Sequence, residues 1–506
     1  MADLSLRLAV MQAKWRYALL LCGGVVTGLG QAPIDLLAAT LLGLMLVIRA
    51  QQVAANPKQA FLQVWVFGLG YFAFSLRWII EPFLVDIARH GWMAPFALIL
   101  MGAGGGLFWA IAAYLAKRAA PHNMILFALA LVWAELARSY IFTGFPWVLL
   151  GHSLINTPFA QLAAFGGPHL LTLIVVLAAY LLVRSYKFSR PIWGYTSVAA
   201  GVVTLVIGGS MLESGPVEQT DEAAPIVRVV QPNAPQHQKW DPAYRDIFLQ
   251  RLIDDTVQGA LPDFVVWPET SVPTLLNYIE DDMTLLSDAA RGVPLIFGIQ
   301  RRGETGTFHN SLVSLGNDGR VTQVYDKQHL VPFGEYVPGA HLLGKAGMTG
   351  LARNLSQGFT PGQSDTLINI PGVGAAVPLI CYEGIFAEEI HRGPDRPRLL
   401  LLITNDAWFG QAAGPYQHLA QARLRAIEHG LPMVRAANTG ISAVIDGKGR
   451  VVKDISLGTQ SWIDVALPPA LPATAYVRFG DVPAISLLLL LTFALFKLIR
   501  RDRDND

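Results

Sequence analysis

"LICYEGIF", residues 379–386, ends an apolar run with one cysteine and sets a tyrosine, a glutamate and a glycine directly after it. Cys381 is either a small core residue closing a strand or a nucleophile held where a strand opens onto a site; an isolated free cysteine is more often the former. The run is one of a series. From about Pro225, "IVRVVQ" (226–231), "FVVW" (264–267), "PLIFGI" (294–299), "HNSLVSLG" (309–316), "VTQVYD" (321–326), "AAVPLICY" (375–382), "LLLLIT" (399–404), "MVRAAN" (433–438) and "ISAVID" (441–446) read as strands. Helical stretches at 242–258, 278–291, 384–391 and 415–429 lie between several of them. "LLLLIT" is apolar on both faces, as a strand covered on both sides must be. The alternation predicts an α/β sandwich of about 260 residues, large enough for its own core. "NDGR" and "DGKG" are expected hairpin turns, because Asp-Gly tolerates positive φ.

The rest of the chain has a different texture. With 53% hydrophobic and 15% charged residues and a mean hydropathy of +0.41, the 506-residue chain is too apolar for an ordinary soluble protein, so part of it belongs in lipid. Apolar stretches at 16–31, 34–48, 61–80, 92–116, 124–140, 168–183 and 192–211 predict seven spans, and "VPAISLLLLLTFALFKLI" (482–499) an eighth. The first two, joined by "GQAPID", are short enough to form a tight hairpin. A signal peptide competes for the first span, but no small-residue cleavage site followed by a polar mature domain is visible, so the span is expected to be retained.

Positive residues resist translocation. With the N-terminus inside, the inner segments carry fourteen Lys and Arg and the outer short loops only Arg77, Arg89 and Arg138. The expected organisation is a seven-span membrane region at 1–212, a large α/β domain at 213–481 on the non-cytoplasmic side, and an eighth helix with a cytoplasmic tail at 482–506. A net charge of +1 and the lack of a basic, aromatic-interleaved stripe argue against nucleic acid. Cys22 and Cys381 are too few and too differently placed for a disulfide framework. No Gly-rich phosphate loop, HExxH, CxxC or GxSxG occurs, which removes the usual support for nucleotide, zinc and serine-hydrolase chemistry.

Three strand ends remain. "DFVVWPET" puts Glu269 after a buried strand and a proline that stops the ladder; the acid is a catalytic group or a helix N-terminal acid favoured by the macrodipole. "VYDKQHLVPFGEYVP" puts Lys327 just past another strand, as a catalytic ammonium or a solvated edge charge. Cys381 ends a third. A lone thiol kept in an oxidising outer compartment calls for a reason, and a carboxylate, an ammonium and a thiol at the ends of strands would converge at one edge.

Glu269 in "WPET", Lys327 in "YDKQHLVPFGEYVP" and Cys381 in "LICYEGIF" resemble the Glu-Lys-Cys triad of the nitrilase superfamily. The eight-span envelope, with "QKWDP", "TNDAWFG" and "GPYQHLAQARLRAIE", resembles its membrane-embedded branch, the apolipoprotein N-acyltransferase family. The resemblance implies a nitrilase-like α-β-β-α domain on the periplasmic face of the bacterial inner membrane, with neither cofactor nor metal. It implies transfer of an acyl chain from a phospholipid to the α-amino group of the diacylglyceryl-cysteine of an apolipoprotein. Glu335, Tyr382 and Glu383 match positions expected to support the triad. Trp240, Trp147, Asn310, Trp408 and Phe409 match segments tied to substrate passage or pocket shape.

These residue types suit acyl transfer. A free thiol, with a pKa of about 8.5, is mostly protonated at neutral pH and gains from a base. Glu269 takes its proton as sulfur attacks the ester, Lys327 stabilises the oxyanion, and a thioester forms on Cys381. An amine attacks a thioester readily, so the expected cycle is ping-pong. The apolar stretch "LVPFGEYVPGAHLLGKAGMTGL" (330–351) reads as a cover that excludes water or as a long packed loop. "GFPWVLLGH" (144–152), with Trp147, reads as lining for lipid access or as an interfacial anchor. A tethered amidase with water as acceptor needs no eight-span bundle, and a transporter would be supported by internal repeats, which are not visible.

Overall fold

A computed structural model of the chain describes residues 8, 11–185, 208–211, 223–304, 306–338, 358–363, 367–390 and 395–505. The chain divides into two compact units that cut across its order. One comprises Met1–Gly215, Ala412–His429 and Thr474–Asp506; the other comprises Pro216–Gln411 and Gly430–Ala473. Sequence order alone groups 415–429 with the strands; its contacts group it with the helices.

The first unit is helical. Four helices are long and apolar enough to cross a membrane: Ile87–Ala119, Met124–Thr143, Pro158–Ser185 and Val482–Arg501. A fifth candidate, Pro57–Ser75 with Arg77–Leu84, bends by 65°; Arg77 Nη1 donates to the Phe74 carbonyl at 3.0 Å where the helix gives way to a 3₁₀ turn. The described residues therefore carry four or five candidate spans in place of eight. Ala13–Gly28 and Leu37–Val53 have 16 and 17 residues. At about 1.5 Å per residue they fall short of a hydrocarbon core about 30 Å thick. The expected span at 192–211 lies outside the described residues except for 208–211.

Glycines set the close packing. A Cβ on Gly24 would lie 1.9 Å from the Phe67 carbonyl oxygen, and one on Gly68 2.6 Å from Gly106 Cα, so the Ala13–Gly28, Pro57–Ser75 and Ala94–Ala119 helices touch backbone to backbone. Glu135 and Arg138 form a buried ion pair. Arg138 lies 3.1 Å from Glu135, which also accepts from Trp109 Nε1 at 2.8 Å and Leu150 N at 3.1 Å. The Gly414–His429 helix enters this unit through Gln417. Its Oε1 accepts from Trp147 Nε1 at 2.8 Å and Trp78 Nε1 at 3.1 Å, and its Nε2 donates to the Ser75 and Ala32 carbonyls.

The second unit holds two six-stranded sheets. The first runs β12 (Ser461–Ala466), β1 (Ile226–Gln231), β2 (Phe264–Val266), β3 (Leu295–Arg302), β4 (Phe308–Leu315), β5 (Val321–Asp326). The second runs β11 (Val451–Ile455), β10 (Ser442–Ile445), β9 (Met433–Ala437), β8 (Leu399–Thr404), β7 (Gly374–Ile380), β6 (Ile368–Ile370). β1–β2–β3 and β7–β8–β9 are parallel and the outer pairings antiparallel. β1 faces β9 and β10, and β4 faces β7, so the sheets form a sandwich. The Arg245–Val257 and Glu280–Ala290 helices bury Leu252, Ile253 and Leu286 against Val265, Trp267 and Leu295. Each such side chain contributes about 1.5–3 kcal/mol. The hairpin β4–β5 turns at Gly319, with φ 72°, and β10–β11 at Gly449, with φ 77°.

The expected helix at 384–391 does not form. Cys381–Ile385 makes one 3₁₀ turn and Phe386 returns to extended backbone, held there by its ring stacked 3.9 Å from His329 and edge-on to Tyr382.

Candidate active site

The parallel strands β2, β7 and β8 all end at one end of the sandwich, and the antiparallel register brings the start of β4 and the end of β5 there too. Each contributes a polar residue. Past β2, Glu269 is 6% exposed. Its Oε1 accepts from Asn310 Nδ2 at 2.7 Å, its Oε2 from the Asn405 backbone N–H at 2.7 Å, and Lys327 Nζ lies 3.8 Å from Oε1. Asn310 is near the start of β4, Asn405 follows β8, and Lys327 follows β5. Pairing fixes the last, because Lys327 N donates to the Asn310 carbonyl at 2.8 Å.

Lys327 is 1% exposed and lies 2.9 Å from Glu335 Oε1. Burial disfavours its charge, but Glu335, Glu269 and Cys381 more than offset this and hold the ammonium above its ordinary range. Glu335 is fixed in turn, its Oε2 accepting from Val331 N at 2.7 Å and its Oε1 from Asn310 at 3.3 Å. Two carboxylates thus share one cation and one amide.

Cys381 begins the turn after β7 with φ 54°, a left-handed conformation that a non-glycine residue adopts only when its surroundings impose it. The sulfur is buried. Burial first, then the charge of Glu269, push its pKa well above the ordinary thiol value, while Lys327 opposes the rise. Burial and the Glu269 charge therefore favour the neutral thiol over the thiolate.

Glu383 ties the Cys381 turn to the Lys327 segment. Its Oε1 accepts from Tyr325 Oη at 2.9 Å, Gln328 N at 2.6 Å and His329 N at 3.3 Å, and its Oε2 from Ile380 N at 2.7 Å. Burial pushes its pKa up to about 7 despite these bonds. Tyr382 is buried with its ring against His329 and Phe386. Trp408 and Phe409 lie on the 3₁₀ turn Asp406–Phe409 behind Asn405, the first 39% exposed and the second buried. Trp240 is half-exposed beside Lys239. Trp147 lies in the helical unit, fully buried, bonded to Gln417 and packed 4.6 Å from Trp78, so its ring lines no opening. The distal part of the expected cover, 339–351, lies outside the described residues.

Two contributors escaped the sequence reading. Asn405 carried the same signal as the others, a polar residue straight after the run "LLLLIT". Lys239 carried none beyond its place in "QKWDP"; it is buried, with Nζ 3.0 Å from both the Glu269 carbonyl and Thr270 Oγ1.

Residues 23–181 match the family model described as the apolipoprotein N-acyltransferase N-terminal domain, and residues 226–475 that for carbon-nitrogen hydrolase. An apolipoprotein N-acyltransferase of Rhodopseudomonas palustris is 35% identical, covering 84% of this chain and 83% of its own. Those of Bradyrhizobium diazoefficiens and Caulobacter vibrioides are 35% and 36% identical, each covering 94% of this chain and 94% and 93% of their own. Among solved structures, a CN-hydrolase superfamily protein from Xanthomonas campestris is similar over 52% of this chain and 96% of its own, with 21% identity and a TM-score of 0.36.

Proposed function

The chain belongs to the apolipoprotein N-acyltransferase family, and from that membership we propose that it moves an acyl chain from a phospholipid to the α-amino group of an apolipoprotein's diacylglyceryl-cysteine, through a thioester on Cys381. The observation that carries the reading is the grouping of Glu269, with its two amide donors, and Lys327 3.8 Å away, beside a thiol in a left-handed turn.

In the first half, Cys381 Sγ attacks the ester carbonyl as its proton passes to Glu269, which is why a thiol that is neutral at rest suffices. Lys327 meets the oxyanion; a well-aimed donor is worth about 3–4 kcal/mol in such a role. Collapse breaks the ester C–O bond, Glu269 returns the proton to the departing lysophospholipid oxygen, and the acyl group stays on sulfur. In the second half, the lipoprotein amine attacks the thioester, gives a proton to Glu269, and the sulfur leaves and takes that proton back. Glu335 keeps Lys327 charged and aimed. Tyr382 and Glu383 fix the turn, and Trp240, Trp408 and Phe409 flank the approach.

Both substrates are amphiphiles, which accounts for an anchored enzyme. The proposed placement is the bacterial inner membrane, with residues 213–481 on the periplasmic side, 1–212 and 482–506 carrying the spans, and the helical unit as anchor.

Intact mass measurement of the full chain after incubation with phospholipid tests the reading. The expected product is a form heavier by one acyl group on Cys381, absent from Cys381→Ala and discharged by an apolipoprotein amine. Wild-type protein that gains no such mass would defeat the proposal.

A further inference from the structure

We infer that Lys239 is a positioning residue of this acyl transfer, clamping the peptide that carries Glu269 and setting a second cation on the Glu269 side of Cys381. The inference rests on the acyl-enzyme reading above. It starts from the geometry of the turn after β2. Thr270 has φ 45°, so the chain there is held in a left-handed conformation. One side of the turn is fixed by Gly298: its N–H donates to the Pro268 carbonyl at 3.1 Å, its carbonyl accepts from Ser271 N at 2.8 Å, and a Cβ at this position would lie 2.4 Å from Thr270 N.

The other side is fixed by Lys239. Its ammonium donates to the Glu269 carbonyl and to Thr270 Oγ1, both at 3.0 Å, and the side chain is 7% exposed. The segment bearing it is anchored at the site as well, since Gln236 Oε1 accepts from Asn405 Nδ2 at 2.9 Å and Lys239 N donates to the Pro235 carbonyl at 2.9 Å. A charged donor on the backbone of the base residue costs desolvation that a neutral side chain would avoid.

What the charge contributes follows from its neighbours. Glu269 and Cys381 are the acidic groups that act on Lys239, and Arg245 lines the narrow cleft beside it. Burial lowers the lysine to about 8, with Glu269 and Cys381 opposing the fall. The cation is thus present at neutral pH and lost just above it. While present, it favours negative charge on Glu269 and on the sulfur as the proton moves between them.

Single-turnover acylation of Cys381 by phospholipid, followed by mass from about pH 6 to pH 10 in full-length wild type, Lys239→Arg and Lys239→Met, tests this. The wild-type rate is expected to fall through a limb near pH 8. Lys239→Met should acylate about tenfold more slowly at pH 7 and lack that limb, and Lys239→Arg, charged throughout, should keep its rate beyond pH 9. A Met variant with the wild-type rate and limb would overturn the inference, as would an Arg variant whose limb stays at the wild-type pH. The second comparison decides even if the Met variant does not fold. A wild type that never acylates instead removes the acyl-enzyme reading on which the inference stands.

Discussion

Glu383 ties the Cys381 turn to the Lys327 segment through hydrogen bonds to both. Four donors converge on it, three on Oε1 and one on Oε2. Glu383→Gln keeps the shape but turns an NH₂ toward at least one of those donors. A buried donor left without an acceptor costs about 1–3 kcal/mol, so the variant should melt earlier and acylate Cys381 more slowly, as thermal unfolding and intact mass would measure. The same residue makes a pH prediction. Its carboxyl sits near 7 in the folded chain against an ordinary 4.5, so the folded state holds the proton more tightly than the unfolded one. That contribution is complete below about 4.5 and is lost as pH rises through about 7. Over this range, wild-type stability should fall relative to Glu383→Gln. Parallel curves for the two proteins would mean that Glu383 does not titrate there.

Elements were legible where burial wrote a pattern into them. All nine strands read from the sequence are present; eight carry a buried apolar run, and β5, an edge strand exposed or half-buried along most of its length, is marked by its β-branched residues and the Asp-Gly turn before it. The three that escaped, β6, β11 and β12, are sheet edges. β11 is exposed along most of its length and β12 only half-buried, so neither shows a run, and β6 has three residues. The helix expected at 384–391 failed because Phe386 packs on His329, a tertiary contact no local window contains. Of the site, the strand-end residues were visible for the same reason as the strands, while Lys239 belongs to a segment without periodicity. The Gly414–His429 helix was legible as a helix, but its partners were not. Gln417 supplies acceptors to two indoles and donors to two carbonyls, all from residues 32–147. Gln417→Leu removes these together and should cost at least about 2 kcal/mol, seen as a melting temperature several degrees lower in detergent. Gln417→Glu, which keeps the acceptor but turns a carboxyl oxygen toward the Ser75 and Ala32 carbonyls, should also melt below wild type. An unchanged melt in the Leu variant would show that the amide does not hold the helix.

At the scale of the whole molecule, the chain returns twice to its helical unit after leaving it, at Ala412–His429 and again at Thr474–Asp506. A catalytic unit threaded this way cannot be shed or replaced without disturbing the helices. That favours a single fixed topology, and charge should choose which one. Under the eight-span reading, fourteen Lys and Arg fall in inner segments and three in outer short loops, and the orientation proposed from that asymmetry has the second unit outside. In a Cys22→Ser background, where Cys381 is buried, a single cysteine at exposed Lys453 on β11 should react with a membrane-impermeant maleimide in intact cells whose outer barrier has been opened. A cysteine at exposed Arg118, at the end of the Ala94–Ala119 helix, should react only after the inner membrane is broken. The opposite pattern would put the thiol chemistry in the cytoplasm, where a cysteine outside any disulfide needs no special reason. Labelling of both positions before lysis would mean that Arg118 and the second unit share the outer side, and the charge count would then have misplaced the inner loops.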